Sequence, residues 1–457
     1  MLPSNRIPYR STIMKTYQSR RRFILQSGKL VAASAVAPVT GPLLLSAEKG
    51  SPNERVRFGA IGVGGRGTSI ANAARRFADV VGVCDLDTQR IERVIKGFRA
   101  QDTSKGYQEY RKLLDRKDID FVTIGTTDHW HTRVAIHAMQ AGKDVYCEKP
   151  LTLTIDEGKQ ICKVVKETGR VFQVGTQQRS EMGQKFLQAI GIIREGRIGK
   201  VQKVTCNIGG GPKGGPFKTS APPANIDWNT WLGQAPLVDY IKERCHYQFR
   251  WWYEYSGGKM TDWGAHHVDI AQWALDQSGE GQGPLSIDPV IGEHPIPLKN
   301  GMPTKDNHYN TSHNFHIRCG FPDGVEMNIV SRSPEGNGIL FEGSKGKLLV
   351  SRGKLKGDAV NELKEKPLAS DTIKKIYKGK TPTNHMENFF QCVKDRKHPI
   401  SDVFTHHRAM TTCHLANISI RLGRKLTWDP KTEQIVGDSD ANSWLSREQR
   451  KGFETNT

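Results

Sequence analysis

Val56-Arg57-Phe58-Gly59-Ala60-Ile61-Gly62-Val63-Gly64-Gly65-Arg66-Gly67 is the stretch on which the fold turns. Its first six residues read as a short buried strand, and the glycine run after them as a tight turn. Helical spacing over Thr68–Ala78 follows, and then a second strand, Ala78-Asp79-Val80-Val81-Gly82-Val83-Cys84, which ends at Asp85. Each part has a physical task in holding a dinucleotide. Gly62 permits the turn, Gly64 lets the backbone approach a pyrophosphate, and Gly67 lets helix and strand pack closely. The helix N-terminus offers amide donors and a positive dipole to phosphate oxygens. Asp85 lies 23 residues beyond Gly62, close to the roughly 20 expected for a ribose-binding acid. A carboxylate there accepts from both ribose hydroxyls and repels a 2′-phosphate, so NAD is expected in preference to NADP.

Outward from this unit the strand–helix alternation continues. Asp120–Gly125 reads as a strand, Thr126–His131 as the loop after it, and Thr132–Ala141 as a helix. The strand Asp144–Cys147 ends at Glu148-Lys149-Pro150, with a helix over 154–168 and a strand over Arg170–Val174. Such alternation predicts a doubly wound parallel sheet over residues 55–176, with ligands at the C-terminal strand ends 126–131, 148–150 and 175–179. From Gly199 the pattern changes to Val201–Asn207 and further strands at 313–319, 325–331 and 338–350. One helix, Asp262–Leu275, interrupts them, and helices at 384–396 and 402–422 close the region. The expectation is an α/β protein: a Rossmann domain followed by an α+β domain, 177–430, with an open, mainly antiparallel sheet, and a tail over 431–457.

Composition narrows the function classes. The chain of 457 residues carries a formal charge of +20, but residues 1–47 hold seven basic side chains and no acidic one. Without them 60 basic residues face 47 acidic ones, spread along the chain rather than gathered in a stripe. No zinc-finger spacing or aromatic ribonucleoprotein motif occurs, so nucleic acid is not an expected partner. No apolar run reaches the roughly 18 residues of a membrane span. The eight cysteines are scattered without a C-x-x-C pair, as buried free thiols are. Residues 1–47 read as a leader: Arg20-Arg21-Arg22-Phe23, a weakly apolar run from Leu30, and small residues at Leu45-Ser46-Ala47, starting from Met1 or Met14. The arginine pair resembles the twin-arginine export type, which implies a periplasmic or otherwise exported protein folded before crossing.

Three features together resemble the glucose-fructose oxidoreductase/inositol dehydrogenase (Gfo/Idh/MocA) family. They are the glycine turn, Glu148-Lys149-Pro150, and Gly257-Gly258-Lys259-Met260-Thr261-Asp262-Trp263-Gly264-Ala265-His266, the family's G-G-x3-D-x3-H. The resemblance runs from about 55 to 430. It implies NAD contacts at Gly62, Gly64, Gly65, Arg66, Gly67 and Asp85, and at Thr126, His131, Glu148 and Lys149. The family's proline after Thr126 is Thr127 here. It further implies catalytic roles for Lys149, Asp262 and His266, a sugar, polyol or glycoside substrate, and a homo-oligomer. The spacing supports a shared site, since Asp262 and His266, four apart on one helix, would lie on one face. A neutral His266 could take the hydroxyl proton with Asp262 orienting it, and Lys149 could lower the cost of an alkoxide or relay the proton.

Secondary substrate contacts are expected at Gln177, Arg179 and Trp251, while His267 points off the shared face. No metal is expected, because neither His129-x-His131 nor His266-His267-x-Asp269 offers three converging ligands from one element. The main functional expectation is hydride transfer from a secondary alcohol, with the cofactor held tightly. Exported relatives that act as NAD-dependent, redox-neutral glycosidases provide an alternative. In those enzymes a Tyr-Pro-Thr-His arrangement takes the place of the Asp262-type acid, whereas this chain keeps Asp262 and continues His267-Val268-Asp269. A non-catalytic carbohydrate-binding protein is the third reading.

Overall fold

The computed structural model describes residues 55–98 and 105–455; the expected leader lies outside them. Strands β1 (Arg57–Ile61), β2 (Asp79–Cys84), β3 (Lys105–Tyr107), β4 (Phe121–Ile124), β5 (Asp144–Cys147) and β6 (Phe172–Val174) form one sheet, ordered β3-β2-β1-β4-β5-β6. Every pairing in it is parallel. β4 and β5 are buried along their whole length, which is why they read as continuous apolar runs. Chain order reverses beside β1, and the glycine turn leaves the sheet there, at the position where doubly wound sheets open a crevice. Helix signals are conventional: Thr154 Oγ1 accepts from Glu157 N at 3.2 Å at the start of Ile155–Thr168, and Gly169 ends it at φ +60°.

The second sheet has nine strands: β7 (Val201–Asn207), β8 (Ser286–Glu293), β11 (Asn314–Gly320), β12 (Glu326–Val330), β13 (Gly338–Gly343), β14 (Gly346–Val350), β15 (Leu355–Lys356), β16 (Leu426–Asp429) and β17 (Gln434–Ile435). Their order is β15-β14-β13-β7-β12-β11-β8-β16-β17, and a separate ribbon joins β9 (Leu298–Lys299) to β10 (Met302–Pro303). All neighbours in the large sheet are antiparallel except β7 and β12. Helices Lys185–Arg194, Gly264–Ala274 and Val403–Leu422 contribute Ile190, Val268 and Leu415 to one core with Ile317, Ile329 and Phe341 of the sheet.

Four elements and the expected tail differ from the sequence reading. The first helix runs over Gly65–Ala74 rather than Thr68–Ala78, because it starts inside the glycine run with Gly64 as its N-cap. The helix expected from Thr132 starts at Asp128, which draws His129 and His131 out of the loop. The stretch 338–350 is a hairpin turned between Gly343 and Gly346. The segment expected as one helix from Asp262 begins earlier, as Lys259–Asp262 and Gly264–Ala274, which meet at Trp263 with its backbone still helical (φ −93°, ψ −27°). Residues after 430 pair as a strand, form the helix Ser439–Ser443 and bury Leu445 in the second core.

Candidate functional site

A cavity of about 660 Å³ opens at the C-terminal ends of β1, β4 and β5 and is roofed by the second domain. Gly62, Gly64, Gly65 and Arg66 line it, as do Asp85, Thr126, His131, Glu148, Lys149, Gln177, Asp262 and His266. Gly67 lies just behind, where a Cβ would fall 1.8 Å from the Gly62 carbonyl oxygen; only glycine lets the helix come that close to the turn. At Gly65 a Cβ would meet nothing within 4 Å, so the first helical turn faces open space. This backbone cradle suits a diphosphate. Asp85 Oδ2 accepts from Val63 N at 2.8 Å and Oδ1 from Asp87 N at 3.0 Å, so the carboxylate is aimed along the turn. Burial raises its proton affinity, against the pull of Arg90 and the two backbone amides.

Lys149 leaves the end of β5 and crosses to the second domain. Its Nζ donates to Asp262 Oδ1 at 2.6 Å and to the Asp262 carbonyl at 2.9 Å. Two of its three ammonium hydrogens are thereby committed, and the third remains for the cavity. Burial pulls the Asp262 carboxyl upward, but Lys149, Arg250 and Lys259 outweigh it and hold the group ionised below its usual range. Asp262 therefore serves Lys149 and makes no hydrogen bond with His266, contrary to the sequence expectation. Trp263, between Asp262 and His266, keeps helical φ and ψ, and both of those side chains line the cavity as their spacing predicts; it is the lysine that takes the carboxylate. His266 is 4% exposed. Burial, reinforced by Lys149 and Arg352, drives its imidazole well below the ordinary histidine range. The ring is neutral at physiological pH and can accept a proton or hydrogen bond without first losing one.

Supporting contacts fix the rest of the wall. Glu148 Oε1 takes Arg66 Nε at 2.8 Å and Gln177 Nε2 at 3.0 Å. His131 donates from Nδ1 to the Pro150 carbonyl at 2.7 Å, and burial lowers its pKa to about 4. His129 instead bonds the Trp231 carbonyl, and His267 bonds Asn337 Oδ1 at 3.0 Å. Among the described residues no cluster of three metal-ligating side chains exists.

Two secondary candidates lie elsewhere. Arg179 is 1% exposed and makes a two-pronged pair with Asp269, both contacts 2.7 Å, while its guanidinium covers the Trp273 ring at 4.7 Å. It takes no part in the cavity wall. Trp251 also stands outside, with its Nε1 donating to Gln248 Oε1 at 2.8 Å. Conversely, sequence reading missed Asp128, Arg250 and Arg352, all of which line the cavity. Asp128 is buried and accepts from Ser256 Oγ at 2.5 Å. Burial pushes its carboxyl up to about 7 despite Ser256, Arg250 and Lys149.

Comparison with known proteins agrees with this architecture. Residues 56–176 match the oxidoreductase family's NAD-binding Rossmann fold, and residues 215–455 its C-terminal alpha/beta domain. A glycosyl hydrolase family 109 protein of Shewanella pealeana is 30% identical over 207 residues, which are 40% of this chain and 44% of the relative. Inositol 2-dehydrogenase of Salmonella typhimurium is 30% identical over 150 residues, 32% of this chain and 43% of the relative. The chain thus spans less than half the length of these curated relatives. Aldose-aldose oxidoreductase of Caulobacter crescentus, complexed with glycerol, shares the fold at TM-score 0.57 and 17% identity, over 82% of this chain and 99% of that one. The WlbA dehydrogenase of Bordetella pertussis, crystallised with NADH and UDP-GlcNAcA, does so at 0.57 and 19%, over 82% and 97%. With both domains matched in order, the glycine cradle on the first and the Asp262–His266 motif on the second, the chain belongs to the Gfo/Idh/MocA oxidoreductase family and is an NAD-binding protein of that family.

Proposed function

We propose that this protein oxidises a secondary alcohol of a sugar, polyol or glycoside by hydride transfer. The observation that carries the reading is the 2.6 Å contact between Lys149 and Asp262, made across two domains in the cavity that also holds the glycine turn. NAD, when bound, supplies the hydride acceptor. The Gly64–Arg66 backbone would hold its diphosphate, with Asp85 on the ribose next to it. Lys149, aimed by Asp262, would stabilise charge developing on the alcohol oxygen. Neutral His266 would accept a hydroxyl proton or hold that oxygen in place. The test is a screen of sugars, polyols and glycosides for NADH formation in a single turnover; if no member reduces bound NAD, the reading fails.

The glycosidase reading shares this first step, and the family 109 relatives favour it. Release of an aryl group from glycosides without net NADH would establish it, and NADH accumulation would exclude it.

Cofactor choice follows from Asp85. A 2′-phosphate beside that carboxylate faces like-charge repulsion, so NAD should bind about tenfold or more tighter than NADP in fluorescence titrations. Asp85→Ser should narrow the gap, because Arg90 stays on the same wall to meet a phosphate. Equal binding of the two by the wild-type protein would remove Asp85 from this role.

The leader adds a condition. We propose export by the twin-arginine route, into a compartment with no useful pool of free nicotinamide cofactor. An enzyme there that released NADH each cycle would stop after one turnover, so the protein should keep its cofactor and close the cycle internally. Denaturing purified, signal-processed protein should release near-stoichiometric NAD, read by mass spectrometry. Cofactor-free protein with weak NAD affinity would overturn this.

A further inference from the structure

Among the described residues, the arginines and the lysine that line the cavity each face a carboxylate, with one exception. Arg66 is held by Glu148, Arg90 lies 3.4 Å from Asp87, and Lys149 is held by Asp262. Arg250 donates to the Tyr247 carbonyl and stands 3.9 Å from Asp262 Oδ2. Arg352, two residues past the end of β14, reaches the cavity wall with no carboxylate at ion-pair distance among the described residues. Its guanidinium lies over the Trp263 ring, 4.5 Å from the centroid. Buried Gln178, with its amide turned to satisfy both neighbours, accepts from Arg352 Nε at 3.1 Å and donates to the His266 carbonyl at 3.2 Å. The group is thus held from one face and one edge, and its two terminal nitrogens have no hydrogen-bond partner among the described residues. A guanidinium in this state presents a planar fork matched to a carboxylate.

The geometry points to Arg352 as the receptor for the carboxylate of an acidic sugar, a uronic acid or its glycoside, bound with its reacting carbon against Lys149 and His266. This assignment rests on the proposed function and names its substrate class. Arg352 stands on the second domain, tied through Gln178 to His266, whereas the diphosphate cradle is the Gly64–Arg66 backbone of the first domain. Glu181 lines the same wall without pairing to Arg352. Burial and the neighbouring Arg66 both disfavour the charge on Arg352, although Asp262 and Glu181 oppose them. An incoming carboxylate would relieve that tension, whereas a neutral sugar would not.

The probes are matched pairs of methyl glycosides: glucose with glucuronic acid, galactose with galacturonic acid, mannose with mannuronic acid. Single-turnover reduction of NAD by the purified holoenzyme gives an acid-over-neutral ratio for each pair. For at least one pair the wild type should prefer the acid by about 10- to 100-fold, the range of a charge-assisted, two-pronged contact. Arg352→Gln should bring that ratio close to unity with NAD affinity unchanged, and Arg352→Lys, which keeps the charge but loses the fork, should fall between. A wild-type preference for the neutral member, or a ratio unmoved by Arg352→Gln, would overturn the assignment. A loss of NAD affinity in Arg352→Gln with the ratio intact would also overturn it, placing the residue on the cofactor diphosphate. If no member of any pair is oxidised while NAD binds, the proposed function fails for these sugars and the acidic-sugar assignment falls with it.

Discussion

Lys149→Met should lower the chemical step by roughly two to four orders of magnitude while NAD affinity stays within a few-fold of wild type. The separation follows from where the side chain goes. Lys149 starts beside the cofactor cradle but spends two hydrogen bonds on Asp262 of the second domain, so its free hydrogen belongs to the substrate end. Removing the ammonium takes away a charge that matters only when negative charge grows on the alcohol oxygen, which is a loss in kcat rather than in binding. It also leaves the Asp262 carboxylate with Arg250 and Lys259 as its remaining cations. Single-turnover kinetics on a substrate found by the screen, with NAD titrated separately, checks both halves. Wild-type turnover by the variant would dismiss Lys149 from the chemistry. A parallel collapse of NAD affinity would mean that the lysine holds the domains or the cofactor instead.

The parts of the site legible in the sequence are those set by local rules. A glycine turn between a strand and a helix works only at fixed spacing, so Gly62, Gly64 and Gly67 could be given their tasks from order alone, and Gly67 does abut the Gly62 carbonyl. Lys149 could be placed because a strand end in a parallel sheet is a defined position. What local rules could not provide was the partner of each charge. Four-residue spacing puts Asp262 and His266 on one wall but does not say which cation arrives from another element; Lys149, at the end of a strand 113 residues earlier, takes the carboxylate. Asp128 carries no helix signal of its own, since the apolar periodicity begins after it, yet the helix starts there and turns its side chain inward. Arg352 bears no motif at all, because a hairpin end carries it to Trp263 and Gln178 from far along the chain. Arg179 stands at the strand-end position that predicts a ligand contact, yet Asp269, three residues past His266, captures it.

That capture has a thermodynamic consequence. Arg179→Met should destabilise the fold by about 3–5 kcal/mol, the cost of removing one partner from a fully buried ion pair. Both side chains are 1% exposed, so no water can replace the lost hydrogen bonds to Asp269. The guanidinium also donates to the Ile400 carbonyl at 2.9 Å and covers Trp273, so the substitution strands a second acceptor at the same junction of 177–179, 269 and 400. Chemical denaturation of the cofactor-free protein should show the loss. The double variant Arg179→Met, Asp269→Leu should recover much of it, because the cost lies chiefly in the unpaired carboxylate rather than in the missing cation. Protein that remains folded should keep its substrate KM within about twofold, since a structural pair makes no contact that differs between free and bound enzyme. A large rise in KM at unchanged stability would be the opposite result. It would mean that the pair with Asp269 opens during turnover and that Arg179 reaches the substrate after all.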